Sequence, residues 1–270
     1  MDISVIIPNY NTKNETAACV RSCLGDGAIY KIEIIIVDNG SEDGSYDYLN
    51  RLFKRYSNVT ILKKASNEGF SKAVNAGLII SKGKYKYILN SDTKIKKGTF
   101  SKMIGFIGSR EDIGVVGTKL ILPDGSIQKS CFNFPGIINA IKEYWLGYRE
   151  VYSSFYKNTV SEVDAVVGAS FFITPVAYKL AGLFDERYFM YYEDIDYCRR
   201  VQNFGLKVFY LPEVEVFHSH GLSGAEFADK DKQWRRLIPS SKIYNGIFKY
   251  YILNYILWTG QKFNTLKKAI

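Results

Sequence analysis

Short apolar segments alternate with helix-like segments through the first half of the chain. The apolar segments are 3–7, 33–37, 59–62 and 85–89, and apolar residues at helical spacing mark 15–24, 45–56, 70–81 and 99–109. Strands that are apolar on both faces and alternate with helices are typical of a parallel sheet covered by helices on both sides. The pattern therefore predicts an α/β fold with a Rossmann-like, mainly parallel sheet.

The pattern changes after Val115. Pro123-Asp124-Gly125 is a turn signal between two short segments, so a hairpin is expected there. Strands are expected at 163–167, 170–174, 207–211 and 215–218, and helices at 136–147, from Pro175 and at 193–203. The second half thus predicts shorter strands and a less regular order of elements.

Polar residues follow each of the four early strands. The clusters are Pro8-Asn9-Tyr10-Asn11, Asp38-Asn39-Gly40-Ser41, Asn67-Glu68-Gly69 and Asn90-Ser91-Asp92. One such cluster alone would be explained as a helix cap. Because ligands bind at the carboxyl ends of the strands in an open parallel sheet, four clusters predict a shared ligand site at this edge.

The chemistry of these clusters restricts the ligand. Neither a G-x-G-x-x-G after the first strand nor a G-x-x-x-x-G-K-[ST] occurs, so the two usual phosphate cradles are missing. Carboxylates and amides are offered instead, and these suit nucleoside hydroxyls and a hard cation that in turn holds phosphates. The sequence predicts a nucleoside diphosphate bound together with Mn²⁺ or Mg²⁺.

Three acids lie close together at the start of a predicted helix, namely Glu193, Asp194 and Asp196. An acidic first turn stabilises a helix through its dipole. The aromatic and apolar residues at 188–192 would also raise the pKa of a carboxyl group here, which suits a general base. Both explanations remain open from the residues alone.

The two histidines of the chain, His218 and His220, lie in one extended segment, where they share a face. A single histidine at this position would be explained as structural. Two of them at the end of a strand, in a chain that also offers acids, make a metal ligand an equal alternative.

These stretches resemble the family 2 glycosyltransferases of the GT-A fold, and within them the bacterial rhamnosyltransferase-like group. The matching segments are 4–11, 36–41, 67–77, 89–93, 182–186, 192–199 and 216–223, in the order of the family. The resemblance implies an inverting transfer of a sugar, with rhamnose favoured, from a dTDP- or UDP-type donor to a glycan or lipid-linked acceptor in bacterial surface polysaccharide synthesis. A non-catalytic nucleotide-sugar-binding protein and a sugar nucleotidyltransferase are the alternatives.

The resemblance also implies roles for individual residues. The donor site is expected to comprise Pro8, Asn9, Tyr10, Asp38, Asn67, Asn75, Asn90, Ser91 and Asp92. The general base matches Asp194, with Glu193 beside it, and the metal ligands match Asp92 and His218. The acceptor region is expected at Asp185, Glu186 and Tyr192. Asn90 stands at the first position of the D-x-D motif, which leaves Asp92 as its only carboxylate.

The resemblance divides the chain into a GT-A catalytic domain at 1–230 and a helical extension at 231–270. Within the domain, the nucleotide-binding part is expected at about 1–117 and the acceptor and catalytic part at about 118–230. Hydrophobic residues make up 47% of the chain and charged residues 23%, which is typical of a folded domain with a full core.

The net charge of +9 is concentrated at the C-terminal end. The stretch 233–270 contains seven bases and no acid, so the rest of the chain carries only about +2. This distribution argues against a nucleic-acid groove across the main domain and for a local anionic partner. Aromatic residues lie among the lysines, which fits an interfacial helix on anionic lipid or a helix packed on the domain or in a homodimer.

The remaining features concern the compartment. Cys19, Cys23, Cys131 and Cys198 lack the spacing of a zinc site and are expected to be reduced structural thiols. Neither a signal peptide nor an apolar membrane-spanning segment is predicted. We expect a cytoplasmic protein that contacts the inner face of the cell membrane peripherally.

Overall fold

The fold was analysed in a computed structural model, which describes residues 1–27, 29–108, 110–219 and 230–269, without the side chains of 230–236 and 265–269. The strands in this part of the chain are β1 (Ile3–Asn9), β2 (Ile32–Asp38), β3 (Val59–Lys63), β4 (Tyr85–Leu89), β5 (Thr93–Ile95), β6 (Ile113–Ile121), β7 (Ile127–Gln128), β8 (Cys131–Phe132), β9 (Ser161–Val163), β10 (Ala165–Val166), β11 (Ser170–Ile173) and β12 (Lys207–His218). The helices are α1 (Lys13–Asp26), α2 (Ser45–Phe53), α3 (Phe70–Ile80), α4 (Thr99–Ile107), α5 (Ile137–Tyr144), α6 (Pro175–Ala181), α7 (Glu193–Asn203), α8 (Lys230–Asn245) and α9 (Ile247–Ala269).

The main sheet has the strand order β3-β2-β1-β4-β11-β6-β12-β5, with β7 paired to β6 and β9 to β12. The first four strands of this order are parallel to one another. The next strand, β11, runs antiparallel between β4 and β6, and β12 is parallel to β6. The predicted α/β class with a mainly parallel sheet is confirmed.

Alternate residues of β1 pack into two different cores. Val5 and Ile7 belong to a cluster that also contains Val20 of α1, whereas Ile6 belongs to a cluster with Val74 of α3. All five side chains are completely or almost completely buried. Helices therefore cover both faces of the sheet, which explains why its strands are apolar at consecutive positions.

Two predicted boundaries were wrong in the second half. The segments 207–211 and 215–218 form the single strand β12, because a register shift between Leu211 and Glu215 lets the strand pass Pro212 outside the regular ladder. The segment 163–167 is not one strand: Val163 pairs with β12, whereas Ala165 pairs with β8 of a separate two-stranded sheet. The short strand β5 was not predicted.

The C-terminal extension forms two helices that pack on the rest of the chain. The ring of Trp145, just after α5, stacks on Phe263 of α9 at 5.5 Å, and its Nε1 donates to the carbonyl of Ile256 at 3.3 Å. The hydroxyl of Ser240 in α8 donates to the carbonyl of Met190 at 2.8 Å. The predicted helical extension is confirmed, and its inner side has the packed arrangement that was one of the two alternatives.

Two structural findings bear on what the sequence predicts for the cysteines and for membrane-spanning segments. All four cysteines are buried and free, in agreement with their expected role as structural thiols. Among the helices that the structure describes, none has both the length and the apolar character needed to cross a bilayer.

Candidate active site

The carboxyl ends of β1 and β2 meet at a hydrogen-bonded pair. Asn9 and Asp38 are in register, and Asn9 Nδ2 donates to Asp38 Oδ1 at 2.7 Å and to Ser41 Oγ at 3.1 Å. Both Asn9 and Asp38 are fully buried, and Asp38 Oδ2 has no hydrogen-bond partner within the described part of the chain. A buried acceptor of this kind is costly unless a donor is supplied, and a ligand hydroxyl or N–H would supply one.

Thr12 and Thr16 support this pair and were missed by the sequence analysis. Their hydroxyls lie 3.0 Å and 2.7 Å from Asn9 Oδ1, which fixes the orientation of the Asn9 amide. The Thr12 hydroxyl also lies 2.8 Å from Ser91 Oγ and so links the end of β1 to the loop after β4. Two threonines four residues apart at the start of a helix were the signal that could have revealed them.

The loop after β3 is fixed by amide side chains. Asn39 Nδ2 donates to Asn67 Oδ1 at 2.9 Å, and the same oxygen accepts from the Gly69 N–H at 3.0 Å. Gly69 has a φ of +92°, and a Cβ on it would lie 2.5 Å from the carbonyl oxygen of Phe189. Only glycine fits here, and this close approach joins the start of α3 to the loop before α7.

Asn75 joins α3 to the loop after α6. Its amide exchanges hydrogen bonds of 2.9 Å with the backbone of Phe184 and donates to Glu186 Oε1 at 3.0 Å. In the same loop, Asp185 forms a salt bridge with Arg187 at 2.6 Å, and this interaction holds the pKa of Asp185 below its ordinary value. The structure therefore places Asn75 as an anchor of the 184–186 loop, and its contact with the donor stays a prediction.

Asp92 and His218 are brought together by the pairing of β5 with β12. Thr93 lies opposite His218 in that ladder, and the Ser219 N–H donates to the Asp92 carbonyl at 3.0 Å. Asp92 Oδ1 lies 3.2 Å from His218 Nε2, and both side chains are buried. His220, the other histidine considered as a ligand, lies outside the described residues.

The tautomer of His218 is set by Gln128 of β7, a third residue that the sequence analysis missed. Gln128 Oε1 lies 2.7 Å from His218 Nδ1, and because that oxygen can only accept, Nδ1 carries a proton. The nitrogen that faces Asp92 is then Nε2, the one that a neutral imidazole uses as an acceptor or metal ligand. Gln128 lies in a two-residue strand of a hairpin, and nothing in the sequence marks this position as part of a site.

This pair fits a divalent cation. A carboxylate oxygen and an imidazole lone pair 3.2 Å apart repel each other unless a proton or a cation lies between them. Among the described residues, no group of three or more potential metal ligands occurs, so a cation here would take its other ligands from a bound diphosphate and water. An imidazole nitrogen suits a transition metal such as Mn²⁺ better than Mg²⁺.

Glu193 and Asp194 begin α7 as a buried pair of acids. Asp194 Oδ2 accepts from the Gly168 N–H at 2.9 Å, and Oδ1 accepts from the Ile195 N–H at 2.8 Å. Burial raises the pKa of Asp194, although these two N–H groups oppose the rise. Burial and the neighbouring Asp194 raise the pKa of Glu193 well above its ordinary range. Environments of this kind prepare a carboxylate to accept a proton.

The backbone links Asp194 to the loop that carries Asp92. Gly168, which holds the Asp194 carboxylate, precedes Ala169, whose carbonyl accepts from the Asn90 N–H at 3.0 Å. This contact continues into the antiparallel pairing of β11 with β4. The acidic pair and the Asn90-Ser91-Asp92 cluster therefore flank one short segment of backbone, although about 100 residues separate them in sequence.

A strained backbone precedes the acidic pair. Tyr191 and Tyr192 have φ values of +70° and +71°, a region that non-glycine residues rarely occupy and that costs of order 1–3 kcal/mol per residue. The ring of Tyr192 lies 5.3 Å from that of Tyr244 in α8. The C-terminal extension thus packs against a strained residue that directly precedes α7.

The remaining predicted residues lie at the same edge of the sheet. Pro8 is paired with Val37 near the end of β1, and Tyr10 follows β1 directly. The fold therefore gathers predicted site residues into three neighbouring groups: Asn9 with Asp38, the candidate metal pair Asp92 with His218, and the buried acidic pair Glu193 with Asp194.

Comparison with known sequences assigns the chain to a described family. Residues 4–157 match glycosyl transferase family 2. Over 69% of its length, the chain is 28% identical to the N-acetylglucosaminyl-diphospho-decaprenol L-rhamnosyltransferase of Mycobacterium tuberculosis. The chain spans only part of the curated relatives that it matches. The matched segment covers 66% of this rhamnosyltransferase and 27% of another relative, from Sinorhizobium fredii.

Solved structures share the fold. The mannosyltransferase PcManGT of Pyrobaculum calidifontis, in complex with GDP-Man and Mn²⁺, has a TM-score of 0.64 at 16% identity, over 99% of this chain and 75% of its own. GalNAc-T7 with UDP, GalNAc and Mn²⁺ has a TM-score of 0.64 at 15% identity, over 80% of this chain and 43% of its own. At these identities the likeness establishes the fold alone, and it confirms the predicted GT-A architecture.

Proposed function

The chain belongs to glycosyl transferase family 2, and from that premise we propose that it is an inverting, metal-dependent glycosyltransferase that uses a nucleoside diphosphate sugar. The observation that carries the proposal is the backbone link through Gly168 and Ala169. It puts a buried general-base candidate, Asp194, beside the cluster that contains the candidate metal ligand Asp92. Base and leaving-group stabiliser are both needed in one displacement at the anomeric carbon.

In the proposed reaction Asp194 accepts the proton of an acceptor hydroxyl. The oxygen of that hydroxyl forms a bond to the anomeric carbon from the face opposite the leaving group, while the bond from that carbon to the diphosphate oxygen breaks. The diphosphate leaves with the electron pair, so a single displacement inverts the anomeric configuration. Asp92 and His218 would hold a divalent cation, which supplies charge neutralisation for the diphosphate.

On the nucleoside side, Asp38 is placed to accept from a donor on the base or ribose through its unpartnered oxygen. Asn9 holds that carboxylate in position from the neighbouring strand. The support for rhamnose as the transferred sugar is the similarity to a rhamnosyltransferase at 28% identity. A dTDP- or UDP-linked donor is proposed from the resemblance of the sequence to the rhamnosyltransferase-like group.

The acceptor is proposed to be a glycan or a lipid-linked glycan of a bacterial surface polysaccharide. Tyr192 directly precedes the acidic pair, and the 184–186 loop is anchored to α3 through Asn75. We assign contact with the acceptor to both. A lipid-linked acceptor requires the enzyme to reach a membrane surface, and we assign that contact to 233–270. A non-catalytic sugar-nucleotide binder is the weaker alternative, because binding alone does not require two buried acids.

The test is a transfer assay with the Asp194→Asn variant. Donors of the dTDP, UDP and GDP types are supplied with Mn²⁺ and a panel of glycan acceptors, and released nucleotide is measured. Asp194→Asn should lower turnover by about 10²–10⁴-fold, the usual contribution of a general base, and leave nucleotide affinity within about twofold. Asp124→Asn, in the exposed hairpin turn, is the matched control. Retained turnover in Asp194→Asn would remove Asp194 as the base.

A further inference from the structure

The outer side of α9 exposes a regular stripe of aromatic residues. Phe248, Tyr251, Tyr255 and Trp258 follow one another at spacings of three and four, which places them on one face of the helix. Phe248 is 81% exposed and Tyr255 67%, whereas Leu253, on the opposite side, is only 2% exposed. The aromatic side chains of this stripe therefore contribute little to the packing of α9 on the rest of the protein.

The opposite side of α9 packs on helix α5. Trp145 and Tyr144, at the end of α5, contact α9 through the Ile256 carbonyl and the Asn264 side chain. We call the surface formed by Phe248, Tyr251, Tyr255 and Trp258 the aromatic face. An exposed apolar surface of this kind marks an interaction site.

The charged side chains that contact the rings of the aromatic face are lysines. Lys262 lies over the ring of Trp258 at 4.1 Å, and Lys242 of α8 lies over the ring of Tyr251 at 5.4 Å. The acid nearest in α5, Glu143, is turned to the backbone and accepts from the N–H groups at 151–153. Helix α9 has no acidic residue. The partner that complements this combination is negatively charged and has an apolar layer beneath its charge.

We propose that the aromatic face is a docking surface for the anionic headgroup region of a lipid bilayer. Tyrosine and tryptophan prefer that region because one end of each ring system is apolar and the other is polar. A helix that lies in the interface, with aromatic residues on one side and lysines at its borders, binds without crossing the bilayer. The aromatic face thus narrows the contact assigned to 233–270 to one side of α9 and names its chemical partner.

The position of the aromatic face gives it a consequence for the proposed reaction. Helix α8, which leads directly into α9, contacts the loop before the acidic pair through Ser240 and Tyr244. Docking would therefore hold the acceptor side of the active site near the headgroups. This step rests on the proposed function, whereas lipid binding itself does not.

The test is co-sedimentation of the full chain with vesicles of phosphatidylglycerol mixed with phosphatidylcholine, and with vesicles of phosphatidylcholine alone. We expect binding to the mixed vesicles and at least tenfold weaker binding to the neutral ones. The double variant Tyr251→Ser/Trp258→Ser should lose at least tenfold in binding. Lys242→Gln/Lys262→Gln should lose its preference for anionic vesicles, at about fivefold per charge. Ile79→Ser, which changes an exposed isoleucine of α3, is the control and should bind like the parent.

Three results would overturn the proposal: no binding to the mixed vesicles, equal binding by Tyr251→Ser/Trp258→Ser, or a stable dimer in light scattering that this double variant converts to a monomer. Thermal unfolding and nucleoside diphosphate titration of each variant show whether it is folded. Vesicle binding without nucleotide binding would contradict the proposed function alone, and the reverse result would contradict the docking surface alone.

Discussion

Individual side chains at this site are oriented by hydrogen-bond partners on neighbouring elements. Asn9 is oriented by two threonine hydroxyls, and His218 by the Gln128 amide oxygen. Amide and hydroxyl groups of this kind fix the direction of another side chain without adding charge. The spacing of the two threonines could have marked them in the sequence, whereas nothing in the sequence marks Gln128, which only the structure reveals.

Gln128 should control metal affinity through His218. In Gln128→Leu the Nδ1 proton loses its acceptor, so the imidazole is free to adopt the wrong tautomer, and Mn²⁺ should bind about 10–100-fold more weakly. Gln128→Glu keeps an acceptor oxygen at this position and should bind within a few-fold of the parent. Calorimetric titration of Mn²⁺ in the presence of a nucleoside diphosphate measures the difference. Equal affinity in Gln128→Leu would show that the His218 tautomer does not matter.

The environment of Asp194 also predicts the direction of a pH effect. The carboxylate form is the active base, and burial raises the pKa of this group above its ordinary value of 3.8. Turnover at low donor concentration should therefore fall about tenfold per pH unit below the raised pKa, and the fall should begin at a higher pH than an exposed aspartate would give. The measurement is kcat/KM between about pH 4 and 8, with nucleotide affinity measured over the same range. A flat profile, or one that nucleotide binding reproduces in full, would contradict this role.

At the scale of elements, the first half of the chain was predictable and the second half less so. Strands β1, β2 and β4 are buried on both faces and β3 is a half-buried edge strand, and the apolar run of each identified it directly. β12 was divided at Pro212 because a proline in the middle of a strand is rare, and the register shift that accommodates it depends on the neighbouring strand. Short strands such as β5 contain too few residues to show a period, although β5 places Asp92 against His218.

The topology of the predicted sheet places the site residues at one edge, but it does not predict the contacts among them. Parallel strands end on the same side, so the clusters after β1, β2 and β4 were expected to meet. The contact between Gly69 and Phe189 joins segments about 120 residues apart, and no local pattern predicts such a pair. Long-range contacts of this kind decide how α3 and α7 meet.

Substitution of Gly69 should lower the stability of the protein measurably. Gly69→Ala combines a left-handed φ with a Cβ that meets the Phe189 carbonyl, so we expect a loss of about 2–4 kcal/mol in the free energy of unfolding. Gly125→Ala has a similar positive φ of +82° but open space around its Cβ, so it isolates the backbone term, about 1 kcal/mol. Thermal or urea unfolding of both variants gives the comparison. Equal losses in the two variants would show that the contact between Gly69 and Phe189 adjusts to the extra Cβ without a loss of stability.

At the scale of the whole molecule, one edge of the sheet carries the three groups to which the proposed function assigns separate tasks. β1 and β2 carry Asn9 and Asp38, β5 and β12 bring together the candidate metal pair, and α7 begins with the acidic pair. The extension contacts the loop before α7 on one side and exposes the aromatic face on the other. This arrangement would let a donor enter at the sheet edge while an acceptor arrives from a membrane surface.

The most direct test of this account is a calorimetric titration of the protein with dTDP, UDP and GDP, each with and without Mn²⁺, repeated on Asp92→Asn with Asp124→Asn as the control. We predict that one nucleotide binds in the presence of Mn²⁺ and that removal of the metal, or of the Asp92 charge, weakens this binding at least tenfold, or about 1.4 kcal/mol. Failure of all three nucleotides to bind, or equal binding by Asp92→Asn, would contradict a metal-dependent donor site at this edge of the sheet.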